Sequence, residues 1–133
     1  MLAPAAAPAA ITPAQTLDLK RWFLRYAAHR VRRSPQHREG MGLKVTHSIR
    51  VARFCAAIGA DLGLRAERLH LARTIGLLHD VARFEQLIRY GTFVDRVSVD
   101  HGDLGADILG EEPRVKALTA ADRTTLLLSL IHI

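Results

Sequence analysis

The chain has 133 residues, 49% of them apolar, which suits one domain with a modest single core. Its formal charge is +6, with 16 Arg against 3 Lys, and its one cysteine, Cys55, excludes an internal disulfide and a multi-cysteine zinc site. No apolar run approaches the roughly 18 residues of a membrane span, so no membrane partner is expected, and the single thiol fits a reducing cytoplasm.

The opening MLAPAAAPAAITP lacks the positive charge that begins a secretory signal, and residues 1–12 read as a flexible Ala/Pro-rich leader. A first helix is expected from Thr12-Pro13-Ala14-Gln15, where Thr suits the N-cap, Pro the first turn and Gln the capping-box position. It runs to about Arg33 and is stopped by Ser34-Pro35. Its outer face carries Lys20, Arg21, Arg25, Arg30, Arg32 and Arg33, either a solvated face or one that meets phosphate.

Residues 36–42 read as a polar, Gly-containing loop. A second helix is expected over about 43–60 and a third over about 65–82. A short fourth covers 84–90, a loop 91–97, and a fifth helix about 98–109, broken by residues 110–113. Thr119-Ala120-Ala121-Asp122 resembles a further helix start. The expected fold is an all-α bundle of five or six short helices.

Helical spacing then orients three histidines. His47 shares a stripe with Val51, Phe54, Cys55 and Ile58; His79 with Ile75 and Leu71; His101 with Leu104, Gly105 and Ile108. All three are therefore expected to face inward, and His79 brings an adjacent Asp80. A buried carboxylate needs a partner or a cation. Imidazole and carboxylate are ligands that borderline transition metals accept, and facing helices of a bundle often assemble such sites. Neighbours on a helix diverge by about 100°, but near a helix end His79 and Asp80 can lean onto one ion or a close pair. Metal binding and a core of hydrogen-bonded histidines both remain open on this reading. His29, His37 and His70 are expected at the surface.

His47 in KVTHSIRVA, the His79-Asp80 doublet about thirty residues later in LLHDVARFEQ, and His101 in SVDHGDLGADIL together resemble the HD-domain superfamily of metal-dependent phosphohydrolases. The resemblance covers about residues 40–109. It implies an HD-domain-like helical bundle with His47, His79 and Asp80 as metal ligands, and His101 as an additional ligand of binuclear members. The family usually adds an aspartate from a later helix. Asp122 is the only acidic residue after Glu112, and at a probable helix start it stands too early for that role. Ala82 stands where the family often has glycine. The final LSLIHI reads as a non-native tail, which makes 13–127 a single, incomplete HD domain and 128–133 foreign to it.

The activity implied is hydrolysis of a nucleotide or another small phosphoester by one or two divalent ions. The mixed N/O ligand set suits Mn, Fe, Co, Ni or Zn better than Mg. Asp80 is expected to bridge ions or orient the water. Arg83 is expected to act beside it and, with Lys44, Arg50 and Tyr90, to bind substrate. Phe93 and Asp95 either line that pocket or simply pack, while Glu85 and Asp100 are candidate acceptors for the ligand imidazoles. Asp103 and Asp107 are expected on the solvated face of the fifth helix. The alternative is a non-catalytic HD-fold module that binds metal or ligand for regulation. Nucleic-acid binding ranks last, since the basic helix has no aromatic interleaving.

Overall fold

The computed structural model describes residues 10–132, and the described residues are all helix, turn and loop without a strand. Helix α1 (Pro13–Arg33) starts on the expected capping box: the Gln15 amide donates to Thr12 Oγ1, and the Gln15 side chain accepts from the Thr12 amide, both at 3.1 Å. Its buried face, Leu19, Phe23, Tyr26 and Ala27, follows the helical repeat. Residues 1–9 of the expected leader lie outside the described residues. Ile11, near its end, is buried and donates its amide to Asp122 Oδ2 at 2.8 Å, so the chain is anchored before α1 begins.

Residues 36–42 form no open loop. A 3-10 turn (Pro35–His37) leads directly into α2 (Arg38–Asp61), which contains Gly40 and Gly42. Met41 is fully buried, and Gly40 faces Phe93 and Leu87 at ordinary packing distance. Tertiary burial here overrides the weak helix propensity of glycine, about 1 kcal/mol against Ala.

Helix α3 (Ala66–Leu78) pairs closely with α2. A Cβ on Gly76 would lie 2.8 Å from Cys55 Sγ and 3.1 Å from Ala52 Cα; one on Gly59 would lie 2.8 Å from Leu69 Cδ2. Small residues at both ends of the crossing let the two backbones approach. For that reason α2 buries Met41, Ser48, Ala52 and Gly59, and leaves Phe54 and Ile58 each 59% exposed. The apolar stripe through His47 is thus an outer edge, which corrects its inward placement.

Helix α3 ends at Leu78, before the doublet, and residues 79–82 form a turn ahead of α4 (Arg83–Tyr90). Gly91 closes α4 in the left-handed conformation at φ 67°, where glycine is favoured. A loop with a 3-10 turn (Asp95–Val97) leads to α5 (His101–Gly110), three residues later than expected, because Asp100 is its N-cap and accepts from the Asp103 amide at 2.9 Å. The four-residue α6 (Pro113–Lys116) and α7 (Ala120–Ile131) follow, the latter capped by Thr119 as expected. The bundle is all-α, although α1 and α2, at 21 and 24 residues, are not short.

The core joins Phe23 and Tyr26 of α1 to Phe84 of α4 at ring separations of 6.0 and 6.3 Å, with Leu109, Val115 and Leu126 beneath. The segment set apart as a tail takes part in it: Leu130 is fully buried, and its carbonyl sits where a Cβ on Gly102 of α5 would fall. No helix of the described residues is long and apolar enough to cross a membrane.

Candidate metal centre

The turn after α3 is what builds the site. The helix gives way to a tighter turn, with the Val81 amide on the Leu78 carbonyl at 3.1 Å, and there the side chains of His79 and Asp80 lean onto the same point. Asp80 is 4% exposed, and its two oxygens face different groups. Oδ2 lies 3.0 Å from Lys44 Nζ, 3.6 Å from His79 Nε2 and 3.7 Å from His47 Nε2. Oδ1 lies 3.4 Å from His101 Nε2 and 3.6 Å from Arg83 Nε. Ligand atoms of His47, His79 and Asp80 all fall within 4.8 Å of one another. His101 closes the other side of the carboxylate.

Two of the imidazoles have their tautomer set by a neighbour. His79 Nδ1 is 2.6 Å from the Gly76 carbonyl, and His101 Nδ1 is 2.6 Å from Asp95 Oδ2. A carbonyl only accepts, so His79 Nδ1 carries a proton in either charge state, and Nε2 is the nitrogen turned toward Asp80. A carboxylate on the other ring does the same for His101. Burial pushes the His47 pKa down, more than Asp80 pulls it up; His79, Lys44 and Arg50 push it further down. A neutral His47 is the form that ligates metal. Burial raises the Asp80 pKa, but His79, Lys44 and Arg83 outweigh it and hold the carboxyl below its ordinary value. The donor set therefore fits a divalent cation: three imidazole nitrogens converge on one buried carboxylate. His47 is 47% exposed, against 15% for His79 and 13% for His101, so the centre opens to solvent on the α2 side.

The remaining candidates divide. Lys44 points at Asp80 and stands 5.3 Å from the Phe93 ring centroid. Arg50 is exposed at the open side, near enough to His47 to oppose its protonation. Arg83 is clamped: its Nη1 donates to Gln86 Oε1, the Phe93 carbonyl and Asp95 Oδ1 at 2.7–2.8 Å. Its buried Nε, facing Asp80, has no hydrogen-bond partner among the described residues. Tyr90 is exposed at the end of α4.

Glu85 and Asp100 do not support the ligand imidazoles. Glu85 is buried against Arg30, Arg89 and Arg33, and Asp100 caps α5. Asp95 does that work instead: burial raises its pKa, but hydrogen bonds from His101 and Gln86 hold it well below the carboxylate range. Gln86, fully buried, also bonds Ser98 and Val99 and so holds the loop that carries Asp95. The six-residue spacing of Asp95 and His101 was the only sequence signal for this pair. Asp122 is committed to the Ile11 amide and to the start of α7. Asp103 and Asp107 are exposed as expected; so is His29, whereas His37 and His70 are half-buried.

Histidines from α2, the α3–α4 turn and α5 gathered on one buried aspartate define an all-helical domain of the His-Asp type. A family model for the HD domain matches residues 45–131, and the chain belongs to that family. No curated protein and no solved structure matches it. The matched span contains all four residues around Asp80 that carry the resemblance: His47, His79, Asp80 itself and His101.

Proposed function

We propose that this domain is a metal-dependent phosphohydrolase acting on a nucleotide or another small phosphoester. The observation that carries the reading is the buried Asp80 carboxylate with three imidazole Nε2 atoms at 3.4–3.7 Å. His47, His79 and Asp80 would hold a first divalent ion, and His101 would offer a ligand for a second. The N/O set favours Mn, Fe, Co, Ni or Zn. Such an ion supplies Lewis-acid polarisation of a phosphoryl oxygen and acidification of a water.

The chain's own residues do the rest. Lys44 and Arg50, on the open side, attract and orient the negative phosphoester. Asp80, its carboxyl kept ionised by its cationic neighbours, orients the attacking water. Arg83, fixed by three acceptors, is a preorganised positive charge beside Asp80 that needs no reorganisation as charge develops. Tyr90 borders the approach from α4.

Assay of purified protein against p-nitrophenyl phosphate and a nucleotide panel with Mn²⁺ tests the reading. Metal-dependent turnover that is lost in Asp80→Ala supports it; stoichiometric metal without turnover on any member contradicts it. That second outcome is the signature of the other reading, a non-catalytic HD module that binds metal or ligand for regulation. One observation favours it: among the described residues no late-helix carboxylate joins the ligands, since Asp122 is bound to Ile11.

A further inference from the structure

The face of α2 opposite the metal centre borders a second cavity, of about 230 Å³, between α1, α2 and α3. Ile49, Ala52 and Arg53 line it, roughly 140–240° around the helix from His47 at ~100° per residue. Lys20 of α1 and Arg73 of α3 complete a set of three cations, and no carboxylate lines the cavity. None of the three has an ion pair or side-chain hydrogen bond among the described residues, whereas Arg30 and Arg114 hold Glu85 and Glu112. Ile49, Ala52 and Leu77 provide apolar wall. The hydroxyls of Thr16 and Thr74 donate to the carbonyls of Thr12 and His70, so the charged side chains are the polar groups left to meet a ligand.

Like charges gathered without counter-charge repel one another, and an anion between them relieves that repulsion. Guanidinium forks match phosphate oxygens, and a phosphomonoester dianion answers three cations better than a carboxylate does. The volume equals roughly eight waters at ~30 Å³ each, room for a phosphate head and a compact apolar body.

We propose that the α1–α2–α3 cavity is a second ligand site, distinct from the metal centre, that binds a small organic phosphomonoester. Its phosphate meets Lys20, Arg53 and Arg73, and its apolar body rests on Ile49, Ala52 and Leu77.

Calorimetric titration of phenyl phosphate into the protein in EDTA, which silences metal-site chemistry, tests this directly. The expected result is saturable one-to-one binding, at least tenfold weaker for inorganic phosphate and for benzoate. Arg53→Glu/Arg73→Glu is expected to weaken it at least tenfold, and His79→Ala to leave it unchanged. Should the charge reversal unfold the chain, Arg53→Gln/Arg73→Gln, which removes both charges at exposed positions without reversing them, repeats the comparison. Absence of saturation, equal affinity for inorganic phosphate or benzoate, insensitivity to the arginine changes, or loss of binding in His79→Ala would each overturn the proposal. Because the metal is removed, this test stands or fails separately from phosphohydrolase activity.

Discussion

His101 and Asp95 are joined at 2.6 Å between Nδ1 and Oδ2, and that bond turns the far nitrogen of the ring onto Asp80. Asp95 is in turn gripped by Arg83 and Gln86. A ligand-facing imidazole on α5 therefore depends on a carboxylate from the preceding loop. Replacing Asp95 by Ala is expected to lower the affinity of the His101 position for metal by about 10–100-fold, the usual effect of removing such a support. Competitive titration with a chromogenic chelator reads this, and an unchanged affinity would refute the dependence.

Lys44 Nζ lies 3.0 Å from Asp80 Oδ2, so it would compete with a bound cation for that carboxylate. Lys44→Met is expected to tighten metal binding several-fold while raising KM for any phosphoester. It also bears on acid stability. The Asp80 carboxyl is held below its ordinary value of 3.8, so its contribution is present above that pH and is lost as the pH falls through the lower, folded value. Metal-free protein is expected to lose stability on acidification below about pH 4, with a shallower loss in Lys44→Met, which removes one cause of the shift. Urea midpoints at pH 5 and pH 3 decide; an identical slope in the two proteins would exclude this coupling.

Tyr26 provides an alkaline counterpart. Burial pushes its pKa from 10.0 up to about 12, against the opposing pull of Arg30, whose guanidinium carbon sits 3.7 Å from the ring centroid. The raised value means that its contribution is full below pH 10 and is lost as the pH rises from 10 towards 12, by about 3 kcal/mol in all. The hydroxyl has no hydrogen-bond partner among the described residues, so Tyr26→Phe is expected to cost little at neutral pH and to flatten the alkaline slope. Denaturant unfolding at pH 9 and 11.5 measures both; a slope unaltered by the substitution would refute the assignment.

Two glycines of the α2–α3 region separate close approach from mere helix propensity. A Cβ at Gly76 would meet backbone, Ala52 Cα and Val51 O, at 3.1 Å, and the Gly76 carbonyl orients His79. Gly76→Ala is expected to destabilise by about 1–3 kcal/mol and to weaken metal binding with it. Gly42, inside α2 with nothing near its missing Cβ, is expected to gain about 0.5–1 kcal/mol as Ala. Thermal melts of both variants give the signs directly, and matching signs would dismiss the close-packing argument.

The gathering of His79, Asp80 and His47 was legible because these residues lie in short strings at a recognisable spacing, and the capping box of α1 is a purely local signal. What escaped was tertiary. Gly40 and Gly42 mimic a loop, yet Met41 pulls their segment into the core as helix. Phe54 and Ile58 looked like the inner face of α2, but the crossing with α3 is made where Ala52 and Gly59 are small enough to admit it. Asp95 and Gln86 reach His101 through a loop whose path no periodicity describes.

The central claim is that His47, His79 and His101 converge with Asp80 to hold a divalent cation. Elemental analysis after loading with Mn²⁺ and desalting tests it most directly, in the unaltered protein and in Asp80→Ala. One to two ions per chain in the former and near none in a still-folded Asp80→Ala is the predicted result. Equal metal in both proteins, or none in either, would contradict it.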